Sequence, residues 1–273
     1  MRLESDRLYL GDCMDLMRGV GDGSVDMVLC DLPYGVLSRR SPSARWDTPL
    51  PLDELWGEYA RVVKPSGAIV LFAQGMFTAR LMVSGAGLWR YNLVWCKGDG
   101  VTGFLNANRM PMRNHEDICV FYRRSPKYHP QFEACARPHA RGGAGNGAGM
   151  AANGCYGGFG RTPAALSSER YPRSVLFFDR PGRRLHPTEK PVELLSWLVR
   201  TYTDEGDVVL DNAMGSGSAC VACVMEGRRY IGIEKDAVYY DIARRRVESA
   251  VAEKSSAMPH TVVDDDELNA GTV

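Results

Sequence analysis

The run Val25-Asp26-Met27-Val28-Leu29-Cys30, followed by Asp31-Leu32-Pro33-Tyr34-Gly35, decides how this chain is read. A short apolar run bounded by turn residues is the pattern of a buried strand. An acid, a proline, an aromatic and a glycine then stand at its carboxyl end. In an open α/β sheet that is the end at which ligands bind. The turn offers a carboxylate acceptor (Asp31), a backbone carbonyl held by proline (Pro33) and a flat ring to stack on (Tyr34). That set suits a planar group bearing an NH2. Proline and glycine also punctuate strand ends that have no function, so the rest of the chain has to decide.

Working outward, strands and helices alternate. Leu8-Tyr9-Leu10 reads as a strand ending at Gly11-Asp12, with a short helix over 14–18 after it. Beyond the turn, residues 36–51 form a polar loop long enough to suggest a functional role. Leu52, Leu55, Trp56, Tyr59, Val62 and Val63 make a helical stripe that Lys64-Pro65-Ser66-Gly67 stops. Strands are expected at 68–72, 91–95 and 115–122, with a helix over 76–83. Pro191 suits a first helical turn, and Leu194, Leu195, Leu198 and Val199 make that helix's buried face. Strands at 207–210 and 230–233 and a helix over 237–251 complete the pattern. Alternation of this kind predicts an α/β fold, a doubly wound and mostly parallel sheet with helices on both faces.

Composition narrows the function. The 273 residues are 45% hydrophobic, enough for one large domain with an insert. No apolar run approaches the ~20 residues of a membrane span, so no membrane association is expected. The first residues lack the apolar region of a signal peptide, and a cytoplasmic location is expected. Among the eight cysteines, Cys13, Cys30, Cys96 and Cys119 read as small buried hydrophobes. Cys220 and Cys223 form a lone CxxC in a small-residue helix pattern, so no metal site is assigned.

Net charge is zero, but its distribution is uneven. From Arg123 to Arg184 there are eleven Lys or Arg against three Asp or Glu. A basic middle in a neutral chain points to an anionic partner. Nine of the twenty residues 141–160 are glycine, which reads as a mobile loop. The expected organisation is a catalytic half over 1–97 and an inserted region over 98–184, whose start to about 122 still holds a core strand. A second half over 185–254 and an acidic, disordered tail over 255–273 follow.

A second site lies in that second half. The strand at 207–210 opens into Asp211-Asn212-Ala213-Met214-Gly215-Ser216-Gly217, then a helix, then a strand ending at Glu234. Strand, Gly-x-Gly turn, helix, strand and acid make a nucleoside-binding unit. Gly215, Ser216 and Gly217 let a ligand approach the backbone, and Glu234, seventeen residues beyond Gly217, is placed to take both ribose hydroxyls. Asp211 beside the turn would repel a pyrophosphate and attract a cation. S-adenosylmethionine carries a sulfonium and an ammonium, so the local charge favours it over a nicotinamide dinucleotide.

Three motifs then make a resemblance specific. Asp31-Leu32-Pro33-Tyr34 matches the D-P-P-Y tetrapeptide of amino-directed DNA methyltransferases, the N6-adenine/N4-cytosine family, with Leu in place of the first Pro. His186-Pro187-Thr188-Glu189-Lys190-Pro191 resembles that family's H-P-T-x-K-P segment, and Asp211 to Gly217 its D-P-F-x-G-S-G loop, with Asn212 and Ala213 departing from Pro and Phe. The order, with the tetrapeptide first and the cofactor motif last, is that of the family's β arrangement. The likeness covers 8–122 and 185–250.

The resemblance implies a seven-stranded methyltransferase sheet with an inserted target-recognition region. It implies methyl transfer from S-adenosylmethionine to the N6 amine of an adenine flipped out of double-stranded DNA, with Asp31, Pro33 and Tyr34 as catalytic residues. N4 of cytosine is the nearest rival, and Asp31 leans to adenine because Ser is commoner there in cytosine enzymes. Cofactor-binding residues would be Asp12, Asp31, Thr188, Lys190, Asp211, Gly215, Ser216, Gly217 and Glu234. The basic insert would meet DNA, with Arg137, Arg141, Arg161, Arg173 and Arg183 as candidates, and the loop 36–51 would close over the base. Members of that family often dimerise and serve restriction-modification systems, but neither a homodimer interface nor a restriction partner is legible in the sequence. Two further classes compete: a nicotinamide dehydrogenase, which leaves Asp31–Tyr34 without a role, and a non-catalytic DNA-binding protein, which the intact acid, Pro and Tyr argue against.

Overall fold

The computed structural model describes residues 2–36, 47–141, 165–182 and 185–257. Its centre is an eight-stranded sheet. The strands in chain order are β1 (Arg7–Leu10), β2 (Val25–Cys30), β3 (Val63–Ala73), β4 (Trp89–Cys96), β5 (His115–Phe121), β8 (Val175–Phe177), β9 (Val208–Asp211) and β10 (Arg229–Glu234). Across the sheet they run β1-β10-β9-β2-β3-β5-β4-β8. All neighbours are parallel except β5, which is antiparallel to both β3 and β4.

Helices cover both faces, and the strands' alternation explains why. In β2, Met27 and Leu29 enter one core while Val25, Val28 and Cys30 enter the other. In β3 the same division separates Ala68, Val70 and Phe72 from Ile69, Leu71 and Ala73. A strand buried on both faces reads as a continuous apolar run because each side chain has a helix to meet. The first face carries α4 (Val192–Tyr202), α5 (Ser218–Met225) and α6 (Ala237–Ala257). The second carries α1 (Cys13–Met17), α2 (Leu52–Val62) and α3 (Met76–Ser84).

The doubly wound, mostly parallel sheet is as expected, with eight strands instead of seven. The extra one, β8, comes from the region expected as an insert and pairs with β4 at the sheet's edge. That region also forms a two-stranded antiparallel ribbon, β6 (Glu133–Arg141) with β7 (Ala165–Arg170). The helix expected over 237–251 extends to Ala257. The glycine-rich stretch, apart from Arg141, lies outside the described residues, as do 37–46 and the tail from 258. Among the described residues no helix is long and apolar enough to cross a membrane.

Candidate active site

Register brings the two sequence motifs together. β2 and β9 are parallel neighbours, with Met27 opposite Val209 and Val28 opposite Leu210. Their carboxyl ends therefore release the Asp31 turn and the Asp211 turn side by side. β10 lies next to β9 and ends at Glu234, and β1 lies next to β10 with Leu10 opposite Glu234, which brings Gly11 and Asp12 to the same edge. One cavity of about 460 Å³ opens there, within the usual range for a small-molecule site. Its walls include Asp12, Asp31, Pro33, Tyr34, Thr188, Lys190, Asp211, Gly215, Ser216 and Glu234. Gly217 is the next residue along and N-caps α5.

Two glycines in these turns are required by their surroundings. Gly35 has φ 70°, and a Cβ there would stand 2.3 Å from Pro49 Cγ. Its N–H donates to Asp47 Oδ1 at 3.0 Å, so the far end of the polar loop is tied back to the Asp31 turn. Gly217 has φ 78°, and a Cβ would stand 2.8 Å from Ala243 Cβ on α6. Both turns thus use a conformation that side chains disfavour. Leu32, in the place of the motif's first Pro, is buried in the core beneath the turn. Asn212, in the place of the other motif's Pro, is also buried and accepts a hydrogen bond from Tyr59 Oη at 2.7 Å.

At the Asp31 end, the carboxylate is divided between two donors. Tyr34 Oη donates to Oδ1 at 2.8 Å, and Lys190 Nζ donates to Oδ2. Burial raises Asp31's pKa, which the Lys190 ammonium opposes and the Glu116 carboxylate supports. Burial together with Asp31's charge lifts the Tyr34 phenol well above its ordinary value, so it stands as a donor. Its ring lies against Phe77, centroids 4.8 Å apart. Lys190 is 6% exposed. It also lies 3.3 Å from Glu116 Oε2 and 5.0 Å from the centroid of Phe72. Burial pulls its pKa down, but Asp31 and Glu116 more than reverse that, and the net shift is upward. Lys190 therefore faces carboxylates of the chain itself.

The Asp211 end is acidic, and among the described residues no ammonium pairs with Asp211, although Lys235 beside Glu234 also lines the cavity. Asp211 accepts from Ala213 N at 3.2 Å and from the Cys30 thiol. Burial, with smaller help from the charges of Asp31 and Glu234, pushes it up to about 7. Glu234 Oε2 accepts from Gly215 N at 2.9 Å and Oε1 from Asp236 N at 2.8 Å, and burial raises its pKa. A carboxylate has about four acceptor sites, so both oxygens can still take hydroxyl donors. Asp12 caps α1 by accepting from Met14 N at 2.9 Å while lining the cavity. Thr188 does not cap a helix; its N–H and hydroxyl meet His186 Nδ1 at 3.3 and 3.0 Å. Burial lowers His186 to about 4, so the ring is neutral and Nδ1 accepts. Three acids, a close-approach glycine turn and the neutral His186 ring suit a cationic nucleoside.

Several neighbours of the site carry no motif. Arg246 on α6 donates to Ser216 O at 2.8 Å and Ser216 Oγ at 2.9 Å, and pairs with Glu189 at 2.9 Å. It braces the glycine turn from thirty residues away. Lys97, Glu116 and Arg180 also line the cavity. Of the candidate DNA-binding arginines, Arg137 and Arg173 are exposed on or beside the β6–β7 ribbon and do not line the cavity. Arg173 lies 3.7 Å from Glu133. The side chain of Arg141, and all of Arg161 and Arg183, lie outside the described residues.

Comparison with known proteins gives a family match and likenesses of fold. A family model described as DNA methylase, for the N6/N4 type, matches residues 25–245. The Escherichia coli (strain K12) protein YubD, which carries the name of a methylase, is 29% identical over 263 residues, covering 95% of this chain and 96% of its own. The type II methyltransferase M.HpaI of Haemophilus parainfluenzae is 23% identical over 252 residues, covering 89% and 74%. Among solved structures, the cytosine-N4-specific PvuII DNA methyltransferase superposes with a TM-score of 0.62 at 14% identity, covering 94% of this chain and 95% of that one. The M1.HpyAVI complex with SAM gives 0.59 at 20%, covering 88% and 98%.

Proposed function

Because the chain belongs to the N6-adenine/N4-cytosine DNA methylase family, we propose that it methylates the N6 amine of an adenine in double-stranded DNA. The methyl donor is S-adenosylmethionine, which supplies a methyl group on a positively charged sulfur. The observation that carries the reading is one cavity holding both the Asp31–Tyr34 turn and the Asp211–Glu234 acids, on adjacent parallel strands.

The chain's own residues divide the work. Asp211 faces the cofactor's positive charge, Glu234 and Asp12 take hydroxyl and adenine contacts, and Gly215-Ser216-Gly217 lets the ligand approach the backbone. An exocyclic amine is a poor nucleophile because its lone pair is delocalised into the ring. Asp31 accepts one N–H and the Pro33 carbonyl the other, which localises that lone pair. Tyr34 supplies the stacking face, for which its hydroxyl gives up Asp31 Oδ1 to the amine. Positioning and electrostatics carry such a reaction without a covalent enzyme intermediate. The base has to leave the duplex to reach the cavity.

The same acceptors would serve N4 of cytosine, so the deciding experiment reads both. Unmethylated DNA is incubated with the protein and S-adenosylmethionine and then sequenced with modification detection. N6-methyladenine at a recurring site is the expected product. N4-methylcytosine would move the assignment to the other amine, and unmodified DNA would refute methyl transfer.

A further inference from the structure

Four charged side chains form a chain at the base end of the cavity. Lys97 Nζ donates to Glu116 Oε1, Glu116 Oε2 lies 3.3 Å from Lys190 Nζ, and Lys190 Nζ donates to Asp31 Oδ2. Lys97 is 2% exposed, and the Glu116 side chain 13%. Removing such ions from water costs several kcal/mol each, yet alternating signs leave the row neutral. Lys97 and Glu116 belong to none of the three sequence motifs. They arrive because β5 runs antiparallel: Trp95 opposes Glu116 and Cys96 opposes His115, so the start of β5 and the end of β4 share the cavity's edge.

We propose that Glu116 and Lys97 are positioning residues for methyl transfer, holding Lys190 on Asp31 Oδ2 so that Oδ1 alone is presented to the substrate amine. Glu116 shares the Lys190 ammonium with Asp31, and Lys97 offsets part of Glu116's charge. Lys190 favours the ionised Asp31 and Glu116 opposes it, so Asp31 is not gripped so hard that it becomes a weak acceptor. Directions of ionisation agree. Burial pushes Glu116 up but Lys190 and Lys97 more than offset it, and its pKa is lowered. Burial lowers Lys97, against the pull of Glu116.

The charged surroundings are as follows. Asp31 is faced by Tyr34 from its own turn, Lys190 from the segment before α4, Glu116 from β5, and Asp211 and Cys30 from the ends of β9 and β2. Lys97 is also faced by Arg180, and Lys190 by His186. The proposal rests on the methyltransferase reading, and its test is arranged to separate the two.

Glu116→Gln removes a negative charge near Asp31, so Asp31 should titrate lower. Lys97→Met removes a positive charge one step further, so Asp31 should titrate higher. The double variant should return towards the parent. Asp31's carboxyl titration is read by 13C NMR, which needs no turnover. In steady-state methylation the acid limb of kcat should move the same way, with kcat in Glu116→Gln about tenfold lower and KM for S-adenosylmethionine within twofold. Opposite shifts cancelled in the double variant support the relay. Unmoved titration in both single variants, with or without lost activity, overturns it as a merely structural cluster. A parent protein that methylates no DNA refutes the proposed function, while the NMR titration still decides whether Glu116 and Lys97 set Asp31. Should one variant fail to fold, the sign of the other's shift decides.

Discussion

Two carboxylates, Asp31 and Asp211, stand at the ends of neighbouring strands in opposite electrical surroundings. Asp31 has a buried ammonium on one oxygen and a phenol on the other. Asp211 has a backbone N–H and a thiol, and the other carboxylates around it are Asp31 and Glu234. Burial raises both, but only Asp31 has a lysine to oppose it. The same residue type thus accepts from a phenol and an ammonium in one turn and, in the other, is held by burial at a pKa of about 7. What decides is the charge facing the acid, not the acid.

The comparison breaks most visibly at Asp31. Asp31→Ala should lower kcat by about a thousandfold or more, an effect of the size expected for a preorganised electrostatic contact. S-adenosylmethionine affinity, read by calorimetry, should stay within a few-fold. Full activity would remove the turn from the mechanism.

The next test concerns Asp211. In the ligand-free protein it loses its proton near pH 7. A bound cation favours the ionised form, so binding releases a proton below that pH. Affinity for S-adenosylmethionine should therefore rise about tenfold between pH 6 and 8 and flatten above, and Asp211→Asn should lack the rise. S-adenosylhomocysteine keeps the ammonium but has a neutral sulfur. A rise for the methyl donor alone puts Asp211 at the sulfonium, and a rise for both puts it at the ammonium. Flat affinity for both would break the contrast between the two acids. Stability has the opposite sign. The folded Asp211 holds a proton that the unfolded chain gives up from about pH 4, so its contribution is fullest below that and is lost as pH rises to about 7. Without cofactor, Asp211→Asn should melt with less loss between pH 5 and 8.

Smaller effects are expected from two other residues. DNA affinity should fall steeply with salt, and Arg137→Ala should reduce the slope of log affinity against log salt by about one if that exposed residue meets a phosphate. An unchanged slope would remove it from the DNA surface. Leu32→Ile should do least. Leu32 is buried in the core cluster and offers the cavity wall no polar group, so melting should register about 1 kcal/mol and kcat should stay within about twofold.

Legibility followed how local the cause was. β2, β9 and β10 could be read because each is an apolar run with a turn at its end, and the acids beside those turns came with them. β8 could not: three residues at a sheet edge, Val175-Leu176-Phe177, leave too little periodicity to see. The β6–β7 ribbon was missed because Glu133–Arg141 mixes charge, small residues and Pro138 without an apolar face. The resemblance makes Lys190 a cofactor-binding residue, and in the fold it reaches Asp31, 159 residues earlier in the chain. Glu116 carries no motif, and a strand's apolar pattern, the same in either direction, does not tell which end of β5 reaches the cavity.

The amino-acid sequence by itself determined the layers, the two turns and the order in which they come, because burial on both faces and tight backbone turns are local demands of side chain and φ. Only the tertiary structure decided which turns touch and which acids are paired. Strand order places β9 beside β2, and the reversed direction of β5 carries Glu116 to the edge where Lys97 and Lys190 wait. Ionisation depends on charges within a few ångströms, and those neighbours are set by pairing between distant segments.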